Sequence, residues 1–183
     1  MTINPEKTVI GKRGSGKLAY LSKIFKIEDV KLDKEKILAL SMLFSLLNSG
    51  NHSLLYEMKK VVHELYYFQA IPIFRGNGIY LQLLTSCSVE DTTLIENNIK
   101  NVFESFSNLS SDELKRAAAN VEFQQNLLFD GVEKSIMSFA NMPLEQENIV
   151  ELSSINTEVL DKKLKKIIGN ILKQEGNTVI AYI

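Results

Sequence analysis

Two β-rich segments, "YYFQAIPIF" and "GIYLQLLTS", flank the tetrapeptide "RGNG" at residues 75–78. Gly-Asn-Gly between apolar runs is a strong hairpin signal, because it supplies the positive φ angles of a tight turn. A hairpin makes its two strands antiparallel neighbours, so this chain is not built from β-α-β units alone. Pro72 has no N–H to give to a ladder, which predicts an edge position or a bulge for the first strand of the pair.

The segments around the hairpin carry both periods. "KLAYLSKIFKI" (17–27) alternates: Ala19, Leu21, Phe25 and Ile27 share one face with Lys17 and Lys23 as charged exceptions, while Leu18, Tyr20 and Ile24 share the other. Period two with aromatic content reads as a strand. "LDKEKILALSMLFSLLNSG" (32–50) reads as a helix that Asp33 can cap, with Ile37, Leu38, Leu40, Met42, Leu43 and Leu46 forming a broad apolar face and Asn48, Ser49 and Gly50 ending it. A shorter helix is predicted over 53–65. Ser88, with Asp91 three residues on, opens a helix reaching 107, and Ser110 with Glu113 forms a second capping box. That box opens a helical stretch to about 141, which Gly131 can break. Asn156 opens a last helix, "TEVLDKKLKKIIGNIL", and "NTVIAYI" (177–183) closes the chain as a strand. The resulting order β, α, α, β, β, α, α, α, α, β predicts an α+β fold: a two-layer sandwich with a largely antiparallel sheet covered by helices. Residues 1–16 read as a flexible lead-in and 17–183 as a single domain.

Composition narrows the function classes. The 183 residues carry a formal net charge of −1, with 45% hydrophobic and 23% charged residues. There is no global electrostatic case for nucleic acid or an anionic membrane. With one cysteine, Cys87, no intrachain disulfide can form, which fits a reducing compartment. The N-terminus "MTINPEKTVI" lacks the apolar run of a signal peptide, and no stretch approaches the roughly 18 apolar residues of a membrane span. A cytoplasmic location is the expectation.

"GKRGSGK" (11–17) has the glycine-lysine spacing of a phosphate-binding loop, but Leu18 stands where Ser or Thr must hold magnesium, and Lys17 opens a strand rather than a helix. We read it as a lead-in, not a nucleotide site. His52 and His63 are the only histidines. Eleven residues apart on one helix, they are separated by roughly 16 Å and cannot share a metal. His63-Glu64 has no second histidine at zinc-helix spacing. Cys87 reads as a small buried residue at a strand end. The carboxylate pairs Glu90-Asp91 and Asp112-Glu113 sit in first helical turns, where capping and the helix dipole account for them. Lys162, Lys163, Lys165 and Lys166 read as a solvated helix face. No catalytic site is expected in this chain.

One segment carries more. "LNSGNHSLLYEMKKVVHELYY" (47–67) resembles the insulinase/pitrilysin family of zinc peptidases, which includes the mitochondrial processing peptidases. In the non-catalytic C-terminal domains of that family, a helix ends in a glycine turn. A Ser, a Leu-aromatic pair and an Arg follow, then a Tyr seven residues after the Arg. Gly50, Ser53, Leu55-Tyr56, Lys60, Leu65 and Tyr67 fall on these places. "KLAYLSKIFKI", "SSDELKRAAANVEFQQNLL" and "INTEVLDKKLKKII" with "NTVIAYI" resemble further family elements in the same order. The match runs from about residue 17 to the end. Two departures stand out: Lys60 replaces the Arg, and Glu64 the usual Gly. A shift by one residue would put Lys59 and Tyr66 in the paired places instead. The catalytic His-x-x-Glu-His motif is missing from the chain.

The resemblance implies a processing-peptidase-like, metallohydrolase-type fold. It also implies the non-catalytic half or subunit of a zinc peptidase, enclosing peptide for a partner half that carries the zinc. No cofactor is expected in this chain itself. Lys60 and Tyr67 would be substrate-binding residues, holding peptide backbone. Expected partners are a catalytic half of the same family and a peptide substrate, with no nucleic acid and no membrane; self-association is left open. The other reading is a free-standing peptide-binding or scaffold module that has lost protease association.

Overall fold

The computed structural model describes residues 9–12, 17–29, 34–50, 53–62, 64–75, 78–106, 108–129 and 157–182. Asp33, His52, His63, the turn residues Gly76 and Asn77, Gly131 and Asn156 lie outside them. So does the part of the predicted long helix beyond 129.

The elements are β1 (Val9–Lys12), β2 (Leu18–Asp29), α1 (Lys34–Asn48), α2 (Leu54–Lys59), β3 (Leu65–Arg75), β4 (Gly78–Ser88), α3 (Thr92–Phe106), α4 (Ser111–Phe129), α5 (Thr157–Leu172) and β5 (Asn177–Tyr182). The five strands form one sheet in the order β1-β5-β2-β4-β3. Four of them are antiparallel neighbours; β1 adds to the outer side of β5 in parallel, Val9 opposite Val179. The α+β class with a largely antiparallel, helix-covered sheet is therefore as the sequence implies. The correction concerns the lead-in: Val9–Lys12, read there as a flexible approach, are a paired edge strand.

The hairpin closes with Arg75 opposite Gly78, and β3 is an edge strand, the first of the two places that Pro72 allowed. The alternation predicted for the first strand also holds. Ala19, Leu21, Phe25 and Ile27 are buried against the helix layer, and Tyr20 and Lys26 point the other way and are exposed. Phe25 meets Phe103 of α3 edge to face at 5.9 Å, and Phe103 meets Phe106 in the same manner at 6.3 Å. Such pairs add to the burial of the rings themselves. In α1, Leu38, Ala39, Leu40, Met42, Leu43, Leu46 and Leu47 are all buried, because that helix touches α5, α4, α2 and β3. A helix apolar over most of its circumference needs neighbours on several sides. On α5, Leu160, Leu164, Ile167, Ile168 and Ile171 repeat at helical spacing and face the core.

Two helix boundaries differ from the sequence reading. The second helix stops at Lys59 instead of 65. Ser53 caps its start, accepting a bond from the Tyr56 N–H at 3.3 Å, and the N–H groups of Val61 and Val62 both turn back to the Met58 carbonyl. The chain must then extend, because Leu65 pairs with Cys87 in the sheet. The third helix starts at Thr92, not next to Ser88. Asp91 rather than Ser88 occupies the cap position, its carbonyl accepting from Ile95 N–H at 2.9 Å, while the Ser88 hydroxyl donates to the Asp91 carboxylate. The second capping box forms as expected. Ser110 N–H donates to Glu113 at 2.7 Å and Glu113 N–H donates to Ser110 Oγ at 3.3 Å.

Both open flanks of the long strands are closed by amide side chains. Asn48, at the end of α1, accepts from Ala70 N–H at 2.8 Å and donates to Ala70 C=O at 2.9 Å. Gln174 does the same at Lys26, at 3.0 and 2.7 Å. Each amide stands in for one residue of a missing strand, and at β3 it works with Pro72 to blunt an exposed edge. Asn48→Ala leaves the Ala70 donor and acceptor unmet, and should lower stability by about 1–3 kcal/mol in urea denaturation. A change below about 0.5 kcal/mol would mean that water serves that edge equally well.

Candidate functional site

The sheet has one face against the helices and one face that keeps part of its surface in solvent. Register places Tyr20 of β2 opposite Ser86 of β4, and Ser86 opposite Tyr67 of β3, so the three lie in one row across the open face. Tyr66 is the extra residue of a bulge between Leu65 and Tyr67 and is 63% exposed. The bulge lets Leu65 and Tyr67 occupy opposite faces although both are odd-numbered neighbours in the pattern. Thr85 Oγ1 donates to the Tyr67 carbonyl and anchors the backbone there. Burial, with the neighbouring Tyr20 phenol adding to it, pushes the Tyr67 phenol above its usual range. At neutral pH Tyr67 thus offers a neutral O–H, able to donate as well as accept.

Ile24 and Val179 continue the same face towards the middle of the sheet, with Leu84, Ile71 and Ile73 beside them, all partly or well exposed. Gln69, Gln82, Ser22 and Lys26 stand between these apolar groups, and Gln82 Nε2 donates to Ser22 Oγ at 2.8 Å. The face can therefore offer apolar contact and hydrogen bonds together.

Lys60 follows α2 as its C-cap and is exposed. Its ammonium lies 2.7 and 2.8 Å from the two Glu57 oxygens and 4.7 Å from the centre of the Tyr56 ring. Among the described residues no hydrogen bond joins Lys60 to Tyr67. Lys60 lies in the helix layer, lining a cleft with Asn98, Asn101 and Ser105 of α3, whereas Tyr67 lies on the open face of the sheet, so the structure does not bring the two together. Of the one-residue alternatives, Lys59 is exposed, and Tyr66 approaches Glu64 at 3.5 Å.

The remaining candidates fall as follows. Cys87 is fully buried, and burial pushes its thiol up to about 11, so it stays protonated and unreactive at neutral pH. Lys162, Lys165 and Lys166 are exposed, Lys165 pairing with Asp161 at 2.8 Å; Lys163 instead bridges α5 to Glu35 of α1. Gly11 and Lys12 lie in β1 and Lys17 immediately before β2, with residues 13–16 outside the described part. The strand β2 comes directly after Lys17, where a phosphate loop requires a helix. Among the described residues, no group of three or more His, Cys, Asp or Glu side chains converges as metal ligands would. No described helix is long and apolar enough to cross a membrane.

The sheet order, the helix layer and the bulged corner can be set beside known structures. No family model matches the sequence, and no curated protein does either. Solved structures match over almost the whole chain. A protease from Helicobacter pylori superposes with a TM-score of 0.71 at 13% identity, covering 96% of this chain and 44% of that one. A peptidase M16 inactive domain from Pseudomonas fluorescens gives 0.63 at 14% identity, covering 95% and 43%. An insulinase family protease predicted from Yersinia pestis gives 0.63 at 13%, covering 98% and 42%. The fold is that of the insulinase-type peptidases. At these identities the likeness is one of architecture. The chain spans less than half the length of each of these three structures. In this chain the segment 47–67 forms a structural corner: Gly50 past α1, Ser53 capping α2, and Tyr67 just after the bulge of β3.

Proposed function

We propose that the chain serves as the non-catalytic half of a zinc-dependent peptidase, enclosing and holding peptide for a partner half that bears the metal. The observation that carries this reading is the insulinase-type fold over 95–98% of the chain, matched to less than half of each neighbour. One of those neighbours is described as an inactive domain. Support also comes from the open sheet face, which mixes Ile24, Val179 and Leu84 with Gln69, Gln82 and Tyr67. An extended peptide needs both kinds of contact, since its backbone keeps donors and acceptors on every residue. The Tyr67 phenol would donate to a substrate carbonyl. Lys60 would add a charge-assisted bond once its ammonium is shared between Glu57 and the peptide. Hydrolysis itself would belong to the partner, whose zinc and general base activate water. A site in a cytoplasmic compartment and self-association remain part of this proposal only as conditions under which the two halves meet.

The test is reconstitution. This chain alone should cleave no peptide, and addition of a catalytic half from the same genome should produce cleavage. In that complex Tyr67→Phe should lower kcat/KM roughly 2- to 13-fold, the worth of one hydrogen bond at about 1.4 kcal/mol per decade. Lys60→Ala should cost somewhat more, with little change in Tm because Lys60 is exposed. Normal cleavage by both variants would make the pair structural. Peptide binding by this chain with no activity in any pairing would favour the free-standing module.

A further inference from the structure

Lys23 is the charged exception on the buried face of β2, and its surroundings form a second site, away from the open face. It lies opposite Thr178 of β5 and Leu83 of β4 on the helix-covered side. Its side chain is 12% exposed, and its ammonium stands 5.9 Å from the centre of the Phe25 ring. The carboxylate of Glu96 is 3.8 Å away, beyond hydrogen-bond length. A buried ammonium is costly unless paired, and here Glu96 is the paired carboxylate, with Glu175 adding its charge. Burial is the largest influence holding the Lys23 amine below its ordinary range; Glu96 opposes it, the neighbouring charge of Lys100 reinforces it, and Glu175 opposes it.

A cleft of about 330 Å³ opens over this ammonium. Lys100, one helical turn beyond Glu96 on α3, and Glu175, in the turn before β5, complete its charged lining, with the buried Thr178 at its side. The volume lies at the lower end of the range of small-molecule sites and leaves room for an amino acid. Two ammonium groups and two carboxylates sum to zero, so the lining complements a ligand that carries one charge of each sign. A phosphate dianion would meet the same lysines but be repelled by Glu96 and Glu175.

We propose that this cleft binds a free amino acid, its carboxylate held between Lys23 and Lys100 and its ammonium received by Glu96 and Glu175. The carboxylate adds a second anionic partner to Lys23 beside Glu96, and relieves the repulsion between the two lysines.

The experiment is an NMR titration of the full chain with alanine, N-acetylalanine, alaninamide, dialanine and inorganic phosphate, reading the lysine Cε and Thr178 amide resonances. Alanine should give saturable shifts at Lys23 and Thr178 with a Kd of about 1 mM or tighter. N-acetylalanine and alaninamide, each lacking one charge, should bind at least about tenfold more weakly, a difference of roughly 1.4 kcal/mol. Dialanine binding better than alanine would overturn the free amino acid in favour of a peptide end. Phosphate binding as tightly as alanine would overturn the zwitterion. Lys23→Gln should abolish the shift of the Thr178 amide. Lys100→Gln, at an exposed position that folding tolerates, should weaken it several-fold, and Lys162→Gln on α5 should not alter it. Absence of saturable shifts with alanine in the intact chain, or unchanged binding in both Lys23→Gln and Lys100→Gln, would refute the site.

Discussion

Phe103→Ala is expected to lower the free energy of unfolding by about 3–5 kcal/mol. The ring is 1% exposed, sits between Phe25 and Phe106 in two edge-to-face contacts, and joins α3 to the central strand β2. Removing it forfeits the transfer energy of the ring, opens a cavity between two large neighbours that cannot both close it, and breaks both aromatic pairs. Against a typical total stability of about 5–15 kcal/mol, that is enough to leave a substantial unfolded fraction on mild heating. Guanidinium denaturation of the two proteins at equal concentration measures it through the midpoint at constant slope. A loss under about 1 kcal/mol would show that α3 collapses onto the sheet without the ring and that the core is far softer than its packing indicates.

The second large effect is at Gly176, in the turn that leads from α5 into β5. Its φ is +75°, and a Cβ there would stand 2.8 Å from the Phe25 ring and 3.2 Å from the Ile24 carbonyl oxygen. Gly176→Ala therefore combines a left-handed backbone cost of roughly 1–2 kcal/mol with an overpacking cost of about 1–3 kcal/mol, or ~2–5 kcal/mol together. Phe25 cannot swing aside, because it is buried and braced by Phe103. Gly50 provides the internal control. Its φ is +81°, but a Cβ there meets nothing within 4 Å. Gly50→Ala should thus cost only the backbone part, roughly 1–2 kcal/mol. Equal losses at the two positions would show that the Phe25 contact contributes nothing.

The period-two pattern of "KLAYLSKIFKI" was enough to assign each side chain of β2 to a face, because alternation follows from strand geometry without reference to any partner. Gly-Asn-Gly and Pro72 were enough to make β3 and β4 an antiparallel pair with β3 at an edge, since both are constraints on local backbone dihedrals and donors. The capping box at Ser110 and Glu113 is likewise local. The segment from Gly50 to Tyr67 was legible as a family-like corner because its turn, cap and strand start are each written in neighbouring residues.

What depends on distant residues was not legible. The end of α2 is decided by the pairing of Leu65 with Cys87, so a stretch with helical spacing up to 65 yields to the sheet. The strand character of Val9–Lys12 comes from Val179–Tyr182 at the far end of the chain, whose outer edge it covers. Asn48 reads as a helix terminator, and only the fold shows it closing an edge 22 residues away. The row Tyr20–Ser86–Tyr67 requires the register of three strands, and the cleft at Lys23 brings together β2, α3 and the turn before β5. Local sequence determined which face each residue takes and where the chain turns. Tertiary structure decided which faces meet, because register and docking arise from burying apolar surface across the whole chain, a sum that no short segment contains.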